Sequence, residues 1–233
     1  MFLAWLLTFT LATGTGPMDS ALQATEAPNT LRAAFTVKLE SSHATRLYSF
    51  DPRKKGAERW EVLEWSGEDE ELDAVGAEWA AEAAPDGRLF PDDLRASLGP
   101  QVEVDDKGAA WKLSFHHRPS TNDTEYDIWA AERLTATAWL DPVVERFLRI
   151  DYSLPHPVAG PEGGTLTRYD QSYFIRTEPR WGMSYVSGFS IDLEARAAFR
   201  TIHRRYSANI VSAEFFFASD EAQREFESAH LQQ

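Results

Sequence analysis

Residues 111–118 read WKLSFHHR, and residues 132–152 read ERLTATAWLDPVVERFLRIDY. Apolar and polar residues alternate in the first stretch, which is typical of a strand with one buried face. In the second stretch, Asp141-Pro142 separates two strand-like pieces, as expected of a turn. Together the two stretches predict antiparallel strands that follow one another through turns.

The alternating pattern extends in both directions from this centre. Residues 58–65 carry apolar side chains on both faces, which predicts a strand whose sheet is contacted on both sides. Residues 31–39 are helix-like at first and then alternate. Further strand-like segments cover residues 46–51, 165–175, 182–193, 198–207 and 211–217. About eight to ten strands are therefore expected, as in an antiparallel sheet or barrel.

A helical insert interrupts the predicted strands. Residues 67–84 read GEDEELDAVGAEWAAEAA, with acidic residues at the beginning, where the helix dipole favours them. Val75, Trp79 and Ala83 recur at helical spacing and form one apolar stripe. A second short helix is expected from residue 91, and another near the C terminus.

The N terminus has the pattern of a targeting segment. Residues 2–12 read FLAWLLTFTLA, an apolar run of signal-peptide length that is too short to span a bilayer. A small-x-small site at Ala12-Thr13-Gly14 and a cut after Ala24 are alternative cleavage points. A buried N-terminal core helix is the other interpretation of the run.

These patterns predict a signal peptide over residues 1–24 and a single domain over residues 25–233. The helical insert would lie near residues 67–98 of that domain. We expect an exported, periplasmic protein with no stable membrane anchor, because no later segment is long and apolar enough to anchor the chain. The pattern leaves the oligomeric state open.

Composition excludes several classes of protein. The chain has 233 residues, of which 43% are hydrophobic and 12% aromatic, so it can bury a large core and is not mainly disordered. Its net charge of −14 argues against nucleic acid, which requires basic patches. Cysteine is absent, which excludes disulfides, thiolate chemistry and a lipidated cysteine anchor.

A resemblance emerges from the first strands. Residues 48–52 read YSFDP, residues 56–63 read GAERWEVL, and Gly67 follows. This block resembles the opening of an uncharacterised family of exported proteobacterial proteins, in which F-D-P…G-E-R-W-x-L-L…G precedes a charged helical insert. The later order of strands is similar to that of the periplasmic lipoprotein carriers LolA and LolB.

That resemblance implies an α+β fold in which a strongly curved antiparallel sheet, a half-barrel, wraps around one or two helices. The carriers hold acyl chains in an apolar cavity under lid helices, so a cavity for a lipid-like ligand is expected here. The key arginine of the carriers matches no single position of this sequence, and no functional residue is carried over.

The sequence contains no constellation that predicts catalysis or metal binding. His116 and His117 are adjacent on a predicted strand and point to opposite faces, so they cannot hold one ion together. Residues 187–190, SGFS, lack the leading glycine of a nucleophile elbow. The acidic run at residues 68–71 lacks the spacing of a calcium loop and suits a solvated helix start. No cofactor, metal or catalytic residue is expected.

Aromatic residues of the predicted strands either fill a sheet core or line an apolar cavity beside the insert helix. Trp139 and Phe147 are expected on faces opposite the aliphatic residues of their own strands, and a sheet with two apolar faces must be covered on both. Arg204 would either meet a ligand head group or pair with a carboxylate. The candidate ligand-binding residues are Trp79, Phe115, Trp139, Phe147, Phe174, Phe189 and Tyr206.

The predicted function is therefore non-catalytic binding of a lipid-like or other apolar ligand, or of a lipoprotein or other envelope protein, in the periplasm. Two other classes remain open. One is an envelope hydrolase with a site of scattered Asp, Glu and His residues. The other is a structural protein of the envelope that acts through interactions alone.

Overall fold

A single antiparallel sheet contains the eleven strands that the structure describes. The structure is a computed structural model that describes residues 16–91, 94–98, 102–118, 125–160, 163–197 and 200–230. The strands are β1 (Leu31–Glu40), β2 (Thr45–Phe50), β3 (Trp60–Ser66), β4 (Val102–Asp106), β5 (Trp111–Phe115), β6 (Thr135–Asp141), β7 (Arg146–Ser153), β8 (Val158–Ala159), β9 (Thr165–Thr177), β10 (Ser184–Ala197) and β11 (Arg200–Phe217). The predicted α+β class and large antiparallel sheet are confirmed.

The order of strands across the sheet is β3-β2-β1-β11-β10-β9-β7-β6-β5-β4, with β8 paired to β9. The last strand, β11, lies between β1 and β10, so it joins the first three strands to the rest of the sheet. The path ends at β3 on one side and β4 on the other, and the sheet is not closed.

Short helices accompany the sheet. They are α1 (Pro17–Thr25), α2 (Glu70–Ala81), α3 (Leu94–Leu98), α4 (Glu125–Ala131) and α5 (Asp220–His230), with 3₁₀ turns at Gly56–Arg59 and Pro85–Leu89. Within the described ranges, every helix falls short of the length and apolar character of a bilayer-spanning segment. Residues 1–15, which include most of the predicted signal peptide, lie outside those ranges.

One face of the sheet, which we call the inner face, packs against the helices in two large clusters and one small one. The α2 cluster joins Leu72, Val75 and Trp79 of α2 to the inner-face residues of β1 and β2. The α1 cluster joins Ala21 and Leu22 of α1, together with α3, to the inner-face residues of β5, β6 and β7. The small cluster joins Leu31 and Phe217, at the paired ends of β1 and β11, to α5. These apolar, buried clusters are sources of hydrophobic stabilisation.

The predicted insert helix is present as α2. Asp69 caps its first turn, where its side chain accepts hydrogen bonds of 3.1 Å from the backbone N–H groups of Glu71 and Leu72. Val75 and Trp79 are buried, as their spacing predicts, whereas Ala83 lies beyond the helix end and is exposed.

Two buried charged side chains fix the helical insert to the sheet. Arg46 of β2 is fully buried and donates to the carboxylate of Asp73 in α2 at 2.8 Å. Asp86, in the 3₁₀ turn after α2, accepts two hydrogen bonds from the guanidinium of Arg32, at 2.6 and 2.8 Å. A buried ion must be paired in this way, so each pair constrains where the insert can sit.

Bulges interrupt the pairing of several strands. The extra residues are Leu63 in β3, Leu148 in β7, Thr167 in β9, Ser187 in β10 and Val211 in β11. A bulge bends its strand and increases the local twist. Because β9, β10 and β11 are also the longest strands, the centre of the sheet combines length with repeated bending.

Three local predictions need correction. The two strands predicted at residues 198–207 and 211–217 are one strand over their described residues, β11 (Arg200–Phe217), because a bulge at Val211 lets the pairing continue. The first residues of β1 are extended rather than helix-like, since they pair with β11. The strand predicted at residues 58–65 is the edge strand β3; its Val62 and Trp65 are 51% and 53% exposed, so it is not contacted on both sides.

Candidate functional site

A cavity of about 710 Å³ lies between the two large clusters, on the inner face of the sheet. Strands β7, β9, β10 and β11 form its floor, and residues of α2, α3 and α4 form its cover. The volume falls within the range of about 300–1,000 Å³ that is usual for sites that bind one small molecule. The helices fill both flanks of the inner face and leave this central space unfilled.

The register of the central strands arranges the floor in rows that run across the sheet. The first row is Ile150, Tyr173, Phe189 and Ala208. The second row, one pleat repeat further along, is Tyr152, Gln171, Ile191 and Tyr206. The third row pairs Tyr169 with Leu193 and Leu193 with Arg204. Side chains two residues apart on a strand share a face, so all three rows point to the same side.

Aromatic rings form a continuous chain across this floor. The ring centroids of Tyr152 and Tyr173 lie 6.2 Å apart, those of Tyr173 and Phe189 5.2 Å apart, and those of Phe189 and Tyr206 5.8 Å apart. These separations are typical of aromatic pairs that attract each other through edge and face contacts. His117 extends the chain, with its ring 5.2 Å from that of Tyr152.

A hydrogen-bonded ladder runs along β9 at right angles to the rows. The hydroxyl of Tyr169 donates to the side-chain oxygen of Gln171 at 2.6 Å. The amide nitrogen of Gln171 donates to the hydroxyl of Tyr173 at 2.8 Å. The polar atoms of these three residues therefore satisfy one another inside a largely apolar face, which lowers the cost of their partial burial.

The cavity is mainly apolar at the end formed by the first row. Leu94 lies there in the same cluster as Ile150, Leu89 and Leu134 are buried in the cavity wall, and Ser97 and His117 also line it. Trp79 lines the side of the cavity that faces α2. A ligand that reaches this end would contact aliphatic and aromatic carbon atoms, which favours an apolar group.

Charged side chains surround the other end, which we call the mouth. Arg204 of β11 pairs with Glu71 of α2. Arg88 pairs with Glu78 at 2.6 Å and also with Glu82. The mouth faces solvent, since the side chains of Arg204 and Glu78 are 48% and 67% exposed.

The charges at the mouth also act on Tyr206 of the cavity floor. Burial raises the pKa of Tyr206, and its value also responds to the charges of Arg204, Glu78, Arg88 and Glu71. The pKa of Tyr206 remains above its ordinary value because burial and the two carboxylates outweigh the two arginines. Tyr206 is therefore a neutral phenol at physiological pH.

The structure places three of the seven candidate residues in the cavity wall. Trp79, Phe189 and Tyr206 line the cavity together. Phe115 and Phe147 are buried among the residues of the α1 cluster instead.

The predicted face of Phe147 is wrong. Strict alternation would place Phe147 and Ile150 on opposite faces of β7. The bulge at Leu148 adds one residue to the strand between them. The bulge turns both side chains to the inner face, and Leu148 itself becomes exposed.

Trp139 and Phe174 lie on the outer face of the sheet, away from the cavity. The indole N–H of Trp139 donates to the carboxylate of Asp151 at 3.3 Å. The guanidinium of Arg149 lies 5.3 Å from the ring centroid of Phe174 and also pairs with Asp151. A cation–π contact and a shared carboxylate explain this outer cluster without a ligand.

Sequence reasoning missed the polar residues of the floor. Tyr169, Gln171 and Tyr173 occur at alternate positions of RYDQSYF, a period that places them on one face. For Arg204, the sequence predicts either contact with a ligand head group or pairing with a carboxylate. The structure shows that pairing, although the partner is Glu71 of a helix rather than a residue of a neighbouring strand.

Residues for metal chemistry do not converge in the described part of the chain. No three His, Asp or Glu side chains come together there in a manner suited to a metal ion. His203 lies 3.3 Å from Glu194 on the exposed end of the β10–β11 pair, and His43 lies near Asp69. Neither histidine lines the cavity.

No protein-family profile, curated protein or solved structure matches this chain. The geometry described above is therefore the basis for assigning a function.

Proposed function

We propose that this protein binds one apolar or amphiphilic small molecule in the central cavity and carries it without chemical change. The observation that supports the proposal is the row of aromatic side chains that floors a cavity of about 710 Å³ between two filled core clusters. Helices can cover a sheet of this length completely, and they do cover the two flanks of this sheet. An unfilled centre lined by Phe189 and Tyr206 suits a ligand.

The resemblance to the periplasmic lipoprotein carriers supports the same proposal. It rests on the order of strands and implies a curved sheet, while the FDP…GAERW block resembles an uncharacterised family of exported proteobacterial proteins and implies export. Within this proposal, the bulges in β7, β9, β10 and β11 provide the bending that a half-barrel requires. The cavity volume limits the cargo to one molecule of ordinary small-molecule size.

The test is to purify the protein natively from its periplasmic location, extract it with organic solvent and identify bound molecules by mass spectrometry. We expect one apolar or amphiphilic species at close to one molecule per chain. Ile191→Trp fills the second row of the floor and should abolish the bound species. Ile202→Trp adds the same ring to an exposed site on the neighbouring strand, outside the cavity, and should retain it.

Two outcomes would contradict the proposal. The first is a natively purified protein that contains no ligand and binds no added amphiphile. The second is equal retention of a bound species by Ile191→Trp and the wild type, which would place the ligand elsewhere. Conversion of an added envelope ester or glycan by the pure protein would instead favour the hydrolase class.

A further inference from the structure

The cavity is polar at one end and apolar at the other. The first row combines Ile150 and Ala208 with two aromatic rings, the second row introduces Gln171 and Tyr206, and the third ends at Arg204. Exposure increases in the same direction, since Ile150 and Ala208 are buried whereas Arg204 is exposed. An elongated amphiphile would therefore lie along the strands with its head group at the mouth.

The arginines at the mouth are already neutralised by the protein. Arg204 is bound to Glu71, and Arg88 is bound to Glu78 and Glu82. Burial lowers the pKa of Arg204, but the hydrogen bond and charge of Glu71 outweigh it and raise the pKa above its ordinary value. Arg88, Arg204 and Glu78 line the cavity, and each of these charges is paired, with Glu71 and Glu82 supplying the other carboxylates from outside the lining.

This arrangement is unfavourable for a charged head group of either sign. An anionic head would have to displace Glu71 or Glu78 from an arginine. A cationic head would have to displace an arginine from its carboxylates. Transfer of a charge out of water is costly unless a counter-charge is free to pair with it.

Neutral hydrogen-bonding groups are well represented next to the mouth. Tyr206 is a neutral phenol at neutral pH, as is a tyrosine with the ordinary pKa of about 10, and burial raises its pKa further. Tyr169 and Gln171 hydrogen-bond to each other on the adjacent floor. Hydroxyls and amides can both donate and accept, so they can extend a hydrogen-bonded network to an uncharged ligand.

We propose that the ligand is a single-chain amphiphile with an uncharged, hydroxyl- or amide-bearing head group, bound with its chain over Phe189 and its head between Tyr169 and Arg204. This inference rests on the proposed function and specifies the class of ligand for the same cavity.

The test compares three probes with one dodecyl-length chain and different head groups: glycerol monolaurate, laurate and dodecylammonium. Their dissociation constants are measured by calorimetry with the full mature protein at neutral pH, below the micellar concentration of each probe. We expect glycerol monolaurate to bind at least about tenfold more tightly than either charged probe, a difference that calorimetry resolves readily.

Two variants connect the preference to the mouth. Glu78→Gln removes one carboxylate and leaves Arg88 with Glu82 alone, so binding of laurate should improve several-fold while that of glycerol monolaurate changes little. Glu214→Gln makes the same change on the outer face, where Glu214 pairs with Arg53, and should alter neither value.

Different results overturn different statements. Tighter binding of laurate or dodecylammonium than of glycerol monolaurate would overturn the head-group inference and leave ligand binding intact. An equal response of laurate binding to Glu78→Gln and Glu214→Gln would also overturn it. Failure of all three probes to bind, together with an empty native protein, would overturn the proposed function itself.

Discussion

The flanks and the centre of the inner face are made of different side chains. On the α2 flank, Val37 and Leu39 of β1 are fully buried under the helix, and on the α1 flank Leu113 and Leu140 are equally buried. In the centre, the corresponding positions of β9 are Tyr169, Gln171 and Tyr173, which are only partly buried.

Under the proposed function, this difference lets one sheet serve both stability and binding. Aliphatic side chains on the flanks gain most when all water is removed, so helices cover them completely. The central side chains satisfy their polar atoms with one another, and they tolerate either water or a ligand above them. The predictions below test whether the two regions are energetically distinct.

Removal of α1 should have the largest effect, because the helix supplies part of one flank. Ala21 and Leu22 are buried in the α1 cluster. The free energy of unfolding of a chain that begins at Thr25 should therefore be lower by at least about 2–5 kcal/mol, which is the usual effect of truncating one buried leucine. A chain that begins at Thr15 keeps α1 and should be fully stable in urea unfolding.

The same packing distinguishes the two cleavage points proposed from the sequence. If the protein is exported, we expect the signal peptide to be cut after Gly14, so that α1 stays in the mature chain. Mass spectrometry of the periplasmic protein would give its N terminus directly. A mature chain that starts at Thr25 and is as stable as the longer one would contradict this view of the α1 flank.

Removal of one phenyl ring should lower the free energy of unfolding more on the flank than in the centre. Phe147 is 1% exposed in the α1 cluster, so Phe147→Ala should lower the free energy of unfolding by about 3–5 kcal/mol. Phe189 already borders the central cavity, so Phe189→Ala should lower the free energy of unfolding by only about 1–2 kcal/mol.

Both values come from urea unfolding monitored by circular dichroism, with the slope of the transition checked for change. Ligand binding should respond in the opposite order, with Phe189→Ala weakening it more than a folded Phe147→Ala protein does. Equal losses of stability at the two positions would show that the centre is packed as tightly as the flanks.

The cap of α2 should give the smallest effect, and one that depends on pH. Asp69→Ala removes the acceptor for two backbone N–H groups and should cost about 1 kcal/mol at neutral pH. Asp69→Asn keeps a capping oxygen and should lower the free energy of unfolding less than Asp69→Ala does.

The direction of the pH dependence follows from the pKa of Asp69. Burial raises this pKa, but hydrogen bonds from Ser41, Leu72 and Glu71 and the charge of His43 outweigh burial and lower it. Because the pKa is lowered in the folded state, the carboxylate stabilises the fold at pH values above its ordinary pKa of about 3.9. This stabilisation is lost as the pH falls through the pKa of the folded state. Urea midpoints between neutral pH and about pH 3 should therefore show the wild type and Asp69→Asn converging. A difference in urea midpoint between the wild type and Asp69→Asn that is independent of pH would contradict the role assigned to the charge of Asp69.

Local patterns in the sequence identified most elements correctly. The acidic start and the Val75 and Trp79 spacing predicted α2, because helix dipole and helix period act within a few residues. Alternation predicted β5 and β9 for the same reason, since neighbouring side chains on a strand point to opposite faces.

The wrong predictions concern residues whose surroundings come from distant parts of the chain. Phe147 lies inside because a bulge opposite β6 shifts its register, and alternation within β7 carries no sign of that partner. The apolar side chains of β3 are exposed because the strand lies at the sheet edge, a position that its own sequence does not specify. Phe174 and Trp139 are aromatic like Phe189, yet they face outward toward Arg149 and Asp151.

The sequence by itself determined the composition of the fold: an acidic chain of alternating strands with one capped, amphipathic helical insert. Only the tertiary structure decided that β11 joins the first strands to the rest, which aromatic residues share a cavity, and that the arginines at its mouth are already paired. The physical reason is the range of the interactions. Backbone periodicity and capping depend on adjacent residues, whereas burial and charge pairing depend on which distant segments the folded sheet brings together.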